Sequence, residues 1–374
     1  MRIKDLIDIK KFEYKWDVIE AIPEFAKLKE CEQSTKWHGE GNAWEHTKKV
    51  CEEAIKLCKE SRWFCETDWV SQMLASALFH DIGKGETTIF KKGDWHSYGH
   101  EIASERITRC ILWDEDFEIR EDVCALVRWH MEPMFILDSK NYIEKILYLS
   151  KNIPSWMMLL NLKKCDMNGS IHHNEDAKKN DFRKLDDINR ITSNLSCYYH
   201  PSPIPYTHNM THKTRDNGKK DITVHLMIGL PGSGKSTSIK KLIEKCSQSY
   251  SVVSRDIARI ELGFCKDGEK MVGTSEQEDM VSKKCDEMIL EAASFGDVIF
   301  IDNTNLKRKY RDYYHTLLSD YNVTWIYHYV EADSIEKNIQ RREGQIDANV
   351  IRNMVKNIEW PDASEYNAIF YEVN

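Results

Sequence analysis

The spacing of apolar residues changes character once along the chain. Between residues 44 and 166 they recur three and four apart, in stretches 44 to 59, 68 to 80, 100 to 112, 119 to 130, 141 to 150 and 154 to 166. That is the period of helices with one buried face. After residue 221, short apolar runs at 223 to 228, 251 to 254, 297 to 301, 323 to 330 and 368 to 373 alternate with helical stretches near 235 to 246, 275 to 295, 307 to 318, 333 to 342 and 348 to 358. Strand and helix in strict alternation predict a parallel sheet with helices on both faces. Between the two patterns lies CYYHPSPIPYTHNMTHKTRDNGKK, which holds three of the eight prolines within residues 201 to 205 and reads as an irregular connector. The expected organisation is an all-α helical bundle over 1 to 196, a proline-rich and basic linker over 197 to 221, and an α/β domain over 222 to 374.

Composition adds limits. A chain of 374 residues can bury two separate cores. No apolar run of about 18 residues occurs and the N-terminus, MRIKDLIDIKKFEYKW, is charged throughout, so neither a membrane span nor a secretory signal is expected. A cytoplasmic location without a membrane partner follows. Eleven cysteines are scattered singly with no C-x-x-C pair and are expected to be reduced core residues. The net charge of −8 argues against a nucleic-acid coat protein while leaving room for an enzyme that grips one strand end through a local patch. Lys213, Arg215, Lys219 and Lys220, or Lys307, Arg308, Lys309 and Arg311, are candidates for such a patch.

The most specific chemistry lies in ITVHLMIGLPGSGKST, residues 222 to 237. Gly229, Gly234, Lys235 and Ser236 take the fixed positions of the P-loop pattern, with Pro231, Gly232, Ser233 and Thr237 completing the turn. Glycines let consecutive backbone N–H groups face phosphate oxygens, and the following helix adds the positive end of its dipole. The loop therefore predicts ATP or another NTP with Mg²⁺, Lys235 reaching the β- and γ-phosphates and Ser236 ligating the metal. Asp256 follows the second strand, where a carboxylate can accept a proton from an attacking hydroxyl; a helix N-cap is the alternative. Arg259, on the same helical face, would hold an anionic group of the acceptor. Asp302 ends a Walker-B-like run near Mg²⁺ or the acceptor, and Asn303 and Asn305 line the same loop, Asn305 as a further candidate for binding the acceptor. Arg341 and Arg342 end a helix either as lid arginines over the phosphates or as charges that oppose a helix dipole. EWPDASEY, before the last strand, is a place for an adenine to rest.

In the helical region His46, His80 with Asp81, His100, His130 and Asp166 fall on different predicted helices. Burying so many polar groups is costly unless they share a partner, and a metal is an efficient one. Nitrogen and oxygen donors in this mixture suit Mn, Fe, Co, Ni or Zn. Lys84, one turn past Asp81, is placed for a substrate phosphate or leaving oxygen. His38 and His96 are read as supporting or substrate-loop residues.

The ordered set of histidines and aspartates resembles the HD phosphohydrolase superfamily. Its blocks HGEGNAWEHT and HDIGKGETT are similar to those of the HD domain in bacterial CCA-adding tRNA nucleotidyltransferases, whose nucleotidyltransferase domain is not matched. The resemblance implies that His46, His80, Asp81 and Asp166 hold one divalent transition metal and that Asp81, His100 and His130 hold a second. Two such ions clamp a phosphate for hydrolysis without a covalent intermediate. In the second half, GLPGSGKST, SRDIAR, FIDNTNL and the arginine pair resemble the 5′-hydroxyl polynucleotide kinase clan. The order HD domain then kinase is similar to bacterial bifunctional end-healing enzymes over nearly the full chain. What this implies is transfer of the NTP γ-phosphate to a 5′-OH end of RNA or DNA, with hydrolysis of a 2′-, 3′- or 2′,3′-cyclic phosphate and a ligase acting downstream. A small-molecule kinase fused to a nucleotide phosphohydrolase, or an HD domain gated by nucleotide, are the alternatives.

Overall fold

The computed structural model, which describes residues 1–60, 67–171, 175–195, 218–266 and 273–374, divides into two units, Met1–Pro203 and Ile204–Asn374. Most of the expected connector, with Lys213 and Arg215, lies outside the described residues. In the first unit the periodic stretches become helices α1 (Ala43–Glu60), α2 (Thr67–Phe79), α3 (His100–Ile111), α4 (Phe117–Trp129), α5 (Tyr142–Leu149) and α6 (Trp156–Gly169). A seventh, α7 (Glu175–Asn194), was not expected. Its charged sequence carries only a thin stripe, with Leu185, Ile188 and Thr192 buried, and tertiary packing supplies what that stripe lacks. Between α2 and α3 stands a hairpin of β1 (Ile89–Lys91) and β2 (Asp94–His96), also unforeseen because three-residue strands give no readable alternation.

Side chains fix several helix starts. Asp116 accepts hydrogen bonds from the Glu118 and Ile119 N–H groups at the head of α4, and Ser155 accepts one from Met158 at the head of α6, as N-caps do. The core gathers Phe25, Trp44, Phe79, Leu126, Trp156 and Leu159. At the turn after α2, a Cβ on Gly83 would stand 2.4 Å from the His100 carbonyl oxygen. Only glycine allows α3 to come so close, and its N–H donates to Ser104 Oγ at 2.8 Å. This packing brings the His80–Asp81 turn against His100.

In the second unit, β3 (Asp221–Ile228), β4 (Tyr250–Val253), β5 (Val298–Ile301), β6 (Asn322–Glu331) and β7 (Ala368–Val373) form a wholly parallel sheet in the order β4-β5-β3-β6-β7. Every residue of β5 is buried, which is what a strand covered on both faces requires. The connecting helices are α8 (Lys235–Ile243), α9 (Arg255–Glu261), α10 (Ser275–Phe295), α11 (Arg308–Leu317), α12 (Ile335–Arg341) and α13 (Ala348–Val355). The chain leaves β3 toward β4 on one side and later returns to β6 on the other. That reversal opens a crevice at the carboxyl ends of the strands, where open α/β sheets take ligands. No described helix is long and apolar enough to cross a membrane. The nine described cysteines are free, six of them buried.

Arg311 corrects one expectation. It is fully buried and ion-paired to Glu365 Oε2 at 2.6 Å, so it cannot join a strand-binding patch. Its guanidinium also donates to the Asn305 and Glu359 carbonyls and braces the loop after β5. Lys219 and Lys220 donate to the Ser319 and Ser294 carbonyls.

Candidate active sites

Two clusters of chemically competent side chains form, one in each unit. In the first unit, α1 contributes His46, the turn after α2 His80 and Asp81, the first residue of α3 His100, the residue closing α4 His130, and α6 Asp166. All are buried. His46 Nε2 lies 3.0 Å from Asp166 Oδ1 and 3.5 Å from Asp81 Oδ2, and His80 Nε2 lies 3.3 Å from that same Asp81 oxygen. The other Asp81 oxygen faces His100 Nε2 at 3.2 Å and His130 Nε2 at 3.7 Å. Asp81 thus stands between two groups, His46 and His80 on one side and His100 and His130 on the other.

The tautomers follow from the outer hydrogen bonds. His80, His100 and His130 each donate Nδ1–H to a backbone carbonyl, of Ala77, Ser97 and Val127, at 2.9, 2.7 and 2.8 Å. Their Nε2 lone pairs therefore point inward, and the inward nitrogens pair at 3.3 Å (His46 with His80) and 3.4 Å (His100 with His130). Between His100 and His130 the facing lone pairs repel unless a cation lies between them, and outer bonds of this kind are what orient metal-ligating imidazoles; His46 Nε2 is also within hydrogen-bond distance of Asp166 Oδ1, at 3.0 Å. Burial lowers the His130 pKa well below the usual value, the neighbouring His100 adding to this. For Asp81 and Asp166 burial acts to raise the pKa, but it is outweighed, chiefly by Lys84 and Lys163 respectively, and both carboxyls are held well below their usual range. Ionised Asp81 and Asp166 with a neutral His130 are what metal ligation needs; at His46 burial acts to lower the pKa but is outweighed by the Asp166 and Glu40 carboxylates, which hold it above the usual value. The donor set is one that could hold metal: three-residue clusters able to do so include His46, His80, Asp81 and Asp81, His100, His130.

Sequence reasoning missed several residues here. Lys163, one turn before Asp166 on α6, donates to Asp166 Oδ2 at 2.7 Å. Glu40 Oε1 lies 2.8 Å from His46 Nδ1, a charge contact not aligned as a hydrogen bond, and 2.7 Å from His38 Nδ1. Burial, with Lys84 nearby, takes His38 down to about 4. Lys84 is buried at the site, its ammonium 2.6 Å from Asp81 Oδ2 and donating to Gln33 Oε1 at 2.7 Å. The blocks 38 to 47 and 80 to 88 drew attention to the ligands, and Glu40 sat unread inside the first of them. Lys163 had a signal too, its spacing from Asp166.

In the second unit the P-loop turns between β3 and α8. A Cβ on Gly229 would lie 2.2 Å from the Val330 carbonyl oxygen, so the passage of β6 demands glycine. Lys235 Nζ donates to the Gly229 and Leu230 carbonyls at 3.0 and 2.9 Å. Burial brings its pKa down to about 8; Arg342 adds to this, against the pull of Asp302 and Asp256. Ser236 Oγ donates to Asp302 Oδ2 at 2.6 Å, which joins the two groups expected around Mg²⁺. Arg341 Nη1 donates to the Gly232 carbonyl at 3.0 Å, and Asn338, buried on α12, donates to that of Pro231 at 3.0 Å. Helix α12 therefore rests on the phosphate loop, with Arg341 and Arg342 at its end; Arg342 also reaches Gln345.

Ser254, not Asp256, caps α9, its Oγ accepting from Ile257 N at 3.1 Å. This leaves the Asp256 carboxylate exposed, 2.8 Å from Arg259 Nη1. Glu278 on α10, not anticipated, receives both Arg259 and Arg255. Asn303 accepts from Arg255 N and donates to Tyr314. Asn305 is buried with positive φ, and its amide donates to the Met227 carbonyl at 2.8 Å. That amide fastens the loop to β3 and does not face an acceptor.

Two family models match the chain, one in each unit. Residues 43–155 match the HD domain family and residues 224–361 match an AAA domain family. A protein of Autographa californica nuclear polyhedrosis virus, named as a bifunctional polynucleotide kinase/RNA ligase, is 26% identical over 129 residues, 32% of this chain and 18% of its own length. Solved structures of a Pnkp1/Rnl/Hen1 complex and of the Pnkp1/Rnl/Hen1 RNA repair complex align at 18% and 19% identity with TM-scores of 0.30 and 0.31. They cover 36% and 38% of this chain and 43% and 45% of theirs. A gluconokinase from Sinorhizobium meliloti aligns at 16% identity and a TM-score of 0.28, over 41% of this chain and 84% of that one. The chain thus spans under a fifth of the viral relative and under half of the chains from the two complexes. With His46, His80, Asp81, His100 and His130 inside the first family match and the whole P-loop inside the second, the chain carries an HD domain followed by a P-loop kinase domain of the AAA type.

Proposed function

We propose that the protein is a cytoplasmic nucleic-acid end-healing enzyme. Its second domain phosphorylates 5′-OH ends of RNA or DNA from an NTP, and its HD domain hydrolyses 2′-, 3′- or 2′,3′-cyclic phosphate ends. The observation that carries the reading is the pairing of Asp256 with Arg259 beside the P-loop crevice. An exposed carboxylate, left free of capping by Ser254, can accept the proton of an attacking hydroxyl. The adjacent guanidinium, steadied by Glu278, suits an acceptor that carries its own phosphate. Lys235 would exchange its loop carbonyls for β- and γ-phosphate oxygens, Ser236 and Asp302 would hold Mg²⁺, and Arg341 and Arg342 would neutralise charge on the transferring group.

In the HD domain, His46, His80, Asp81 and Asp166 would hold one transition-metal ion and Asp81, His100 and His130 a second. Such a pair supplies Lewis acidity and an activated nucleophile for phosphoester hydrolysis. Lys84 steadies Asp81 and offers a cation to the substrate phosphate, and Lys163 does the same for Asp166. The viral relative, whose name joins polynucleotide kinase to RNA ligase, supports strand ends as the substrate and a ligase as the enzyme acting next. The decisive test offers labelled ATP with 5′-OH oligonucleotides of graded length beside nucleosides and nucleotides. Preference for strands is expected. Equal turnover of plain nucleosides would replace this reading with a small-molecule kinase.

A further inference from the structure

The hairpin that follows His80 and Asp81 and precedes His100 in the chain exposes much of its aromatic surface. Its turn, Lys92–Gly93, has both residues at positive φ, the geometry of a tight two-residue connection. Strands β1 and β2 pair Phe90 directly with Trp95, ring centroids 5.0 Å apart and edge-to-face. Just beyond, Tyr98 lies parallel to His96 at 5.2 Å. Phe90 is 61% exposed and Tyr98 70%, far more than folding asks of large aromatic side chains. Lys91 and Lys92, also exposed, stand among them.

The hairpin is rooted in the HD centre. It leaves from the short helix that begins with Lys84. Its base is closed by Thr88 Oγ1 against Ser97 Oγ at 2.6 Å, and the Ser97 carbonyl is the group that orients His100. On another side, Asp94 receives Ser34 and pairs with Lys36, next to exposed Trp37, which lies three residues before Glu40, whose carboxylate contacts His46. At about 3.3 Å per residue, the tip stands roughly 10 Å from the base.

We propose that this hairpin is a nucleobase platform. The register sets Phe90 with Trp95 on one face of the ribbon and His96, with Tyr98 against it, on the other. Phe90 therefore stacks one of the last bases and Tyr98 its neighbour from opposite sides of the ribbon, at the end of a strand whose terminal phosphate lies at the HD centre, while Lys91 and Lys92 take its backbone phosphates. Flat aromatic faces interleaved with cations are what sequence-tolerant single-strand binding uses. An apolar protein contact would have no use for two lysines at the tip. The proposal rests on the strand-end reading of the HD domain and deepens it: the platform makes the substrate a nucleotide terminus and not a bare phosphomonoester.

The test uses the full chain with a short RNA bearing a 3′-phosphate, once with an intact terminal nucleotide and once with that nucleotide abasic, alongside a nucleoside 3′-phosphate and p-nitrophenyl phosphate. Phe90→Ala and Tyr98→Ala should each raise KM for the intact strand about tenfold, since stacking is worth about 1–3 kcal/mol per base, with kcat unchanged and p-nitrophenyl phosphate hydrolysis unaffected. The abasic strand should show the same rise in wild type. Anisotropy of the labelled strand in chelator should weaken in parallel, Phe90→Trp should restore binding and Phe90→Leu should not. Equal KM for intact and abasic strands overturns the platform while leaving strand-end hydrolysis standing. So does a Phe90→Leu variant that matches wild type, or an alanine variant that alters only sedimentation, which would mark a protein contact. If the nucleoside 3′-phosphate shows the same base and Phe90 dependence as the strand, the platform stands and the strand reading falls. A wild-type protein that neither binds nor hydrolyses the intact strand overturns both.

Discussion

The two sites solve opposite problems. In the HD domain the donor atoms are buried and aimed at one another, with His80, His100 and His130 fixed from behind by backbone carbonyls, so their inward nitrogens need no new orientation to meet a small cation. In the kinase domain every cation expected to meet substrate is already committed. Lys235 is on loop carbonyls, Arg259 on Asp256 and Glu278, and Arg341 on the Gly232 carbonyl. A site for an ion can be finished by the chain itself. A site for a nucleotide and a strand must trade internal contacts for external ones, so Asp256, Arg259 and Arg341 are more exposed than the HD donors, while Lys235 stays buried beneath the loop.

The sharpest break in that comparison is Asp81→Asn. Metal content, read by elemental analysis, and HD hydrolysis should both vanish while 5′ phosphorylation persists. Removing one partner of a buried charge pair costs about 3–5 kcal/mol, so the unfolding midpoint of the first unit should also fall. Undiminished phosphatase activity in chelator would sink the metal assignment. On the other side, Lys235→Ala should abolish phosphorylation, and Asp256→Asn should cost at least about 10²-fold, the lower range of general acid–base catalysis. Because Ser254 holds the cap, Asp256→Asn should leave thermal stability nearly unchanged. Near wild-type transfer by that variant would move the base elsewhere.

Arg259→Ala removes a charge-assisted contact worth about 1.5–3 kcal/mol. It should slow 5′-OH strands and nucleoside 3′-phosphates by about one to two orders of magnitude and barely affect acceptors lacking a 3′-phosphate. Equal losses for both classes would remove the acceptor-phosphate role. Glu40→Gln should weaken metal binding about 10–100-fold, the usual cost of losing an outer-shell partner, as followed by competitive metal titration; an unchanged affinity would make Glu40 a structural contact only.

The smallest effect is a proton. Burial holds Lys235 near 8, and phosphate oxygens favour its charged form, so NTP binding should raise that value. Binding should therefore take up a proton through this group above about pH 8 and none well below it. Calorimetry in buffers of different ionisation enthalpy reads the uptake, and Lys235→Arg should abolish it because guanidinium stays protonated.

Much of this was legible in the chain. The strands of the second unit fell within a residue or two of their observed bounds, because β-branched runs and a P-loop fix a parallel sheet locally. That His46, His80, Asp81, His100, His130 and Asp166 gather in the interior was legible from polar residues on apolar helix faces, a pattern that is costly without a shared partner. What periodicity could not carry was anything decided between distant segments. Arg311 read as one more surface cation in a basic run, yet Glu365, distant in sequence, takes it into the interior. Asn305 read as a loop residue facing substrate, yet the Met227 carbonyl claims its amide. Glu278 could not be found at all, since only the packing of α10 beside α9 gives it two arginines to hold. Sequence determines which groups are able to ionise, ligate or turn; which of them face each other depends on where packing places segments far apart in the chain, and pairing energy between charges falls off within a few ångströms.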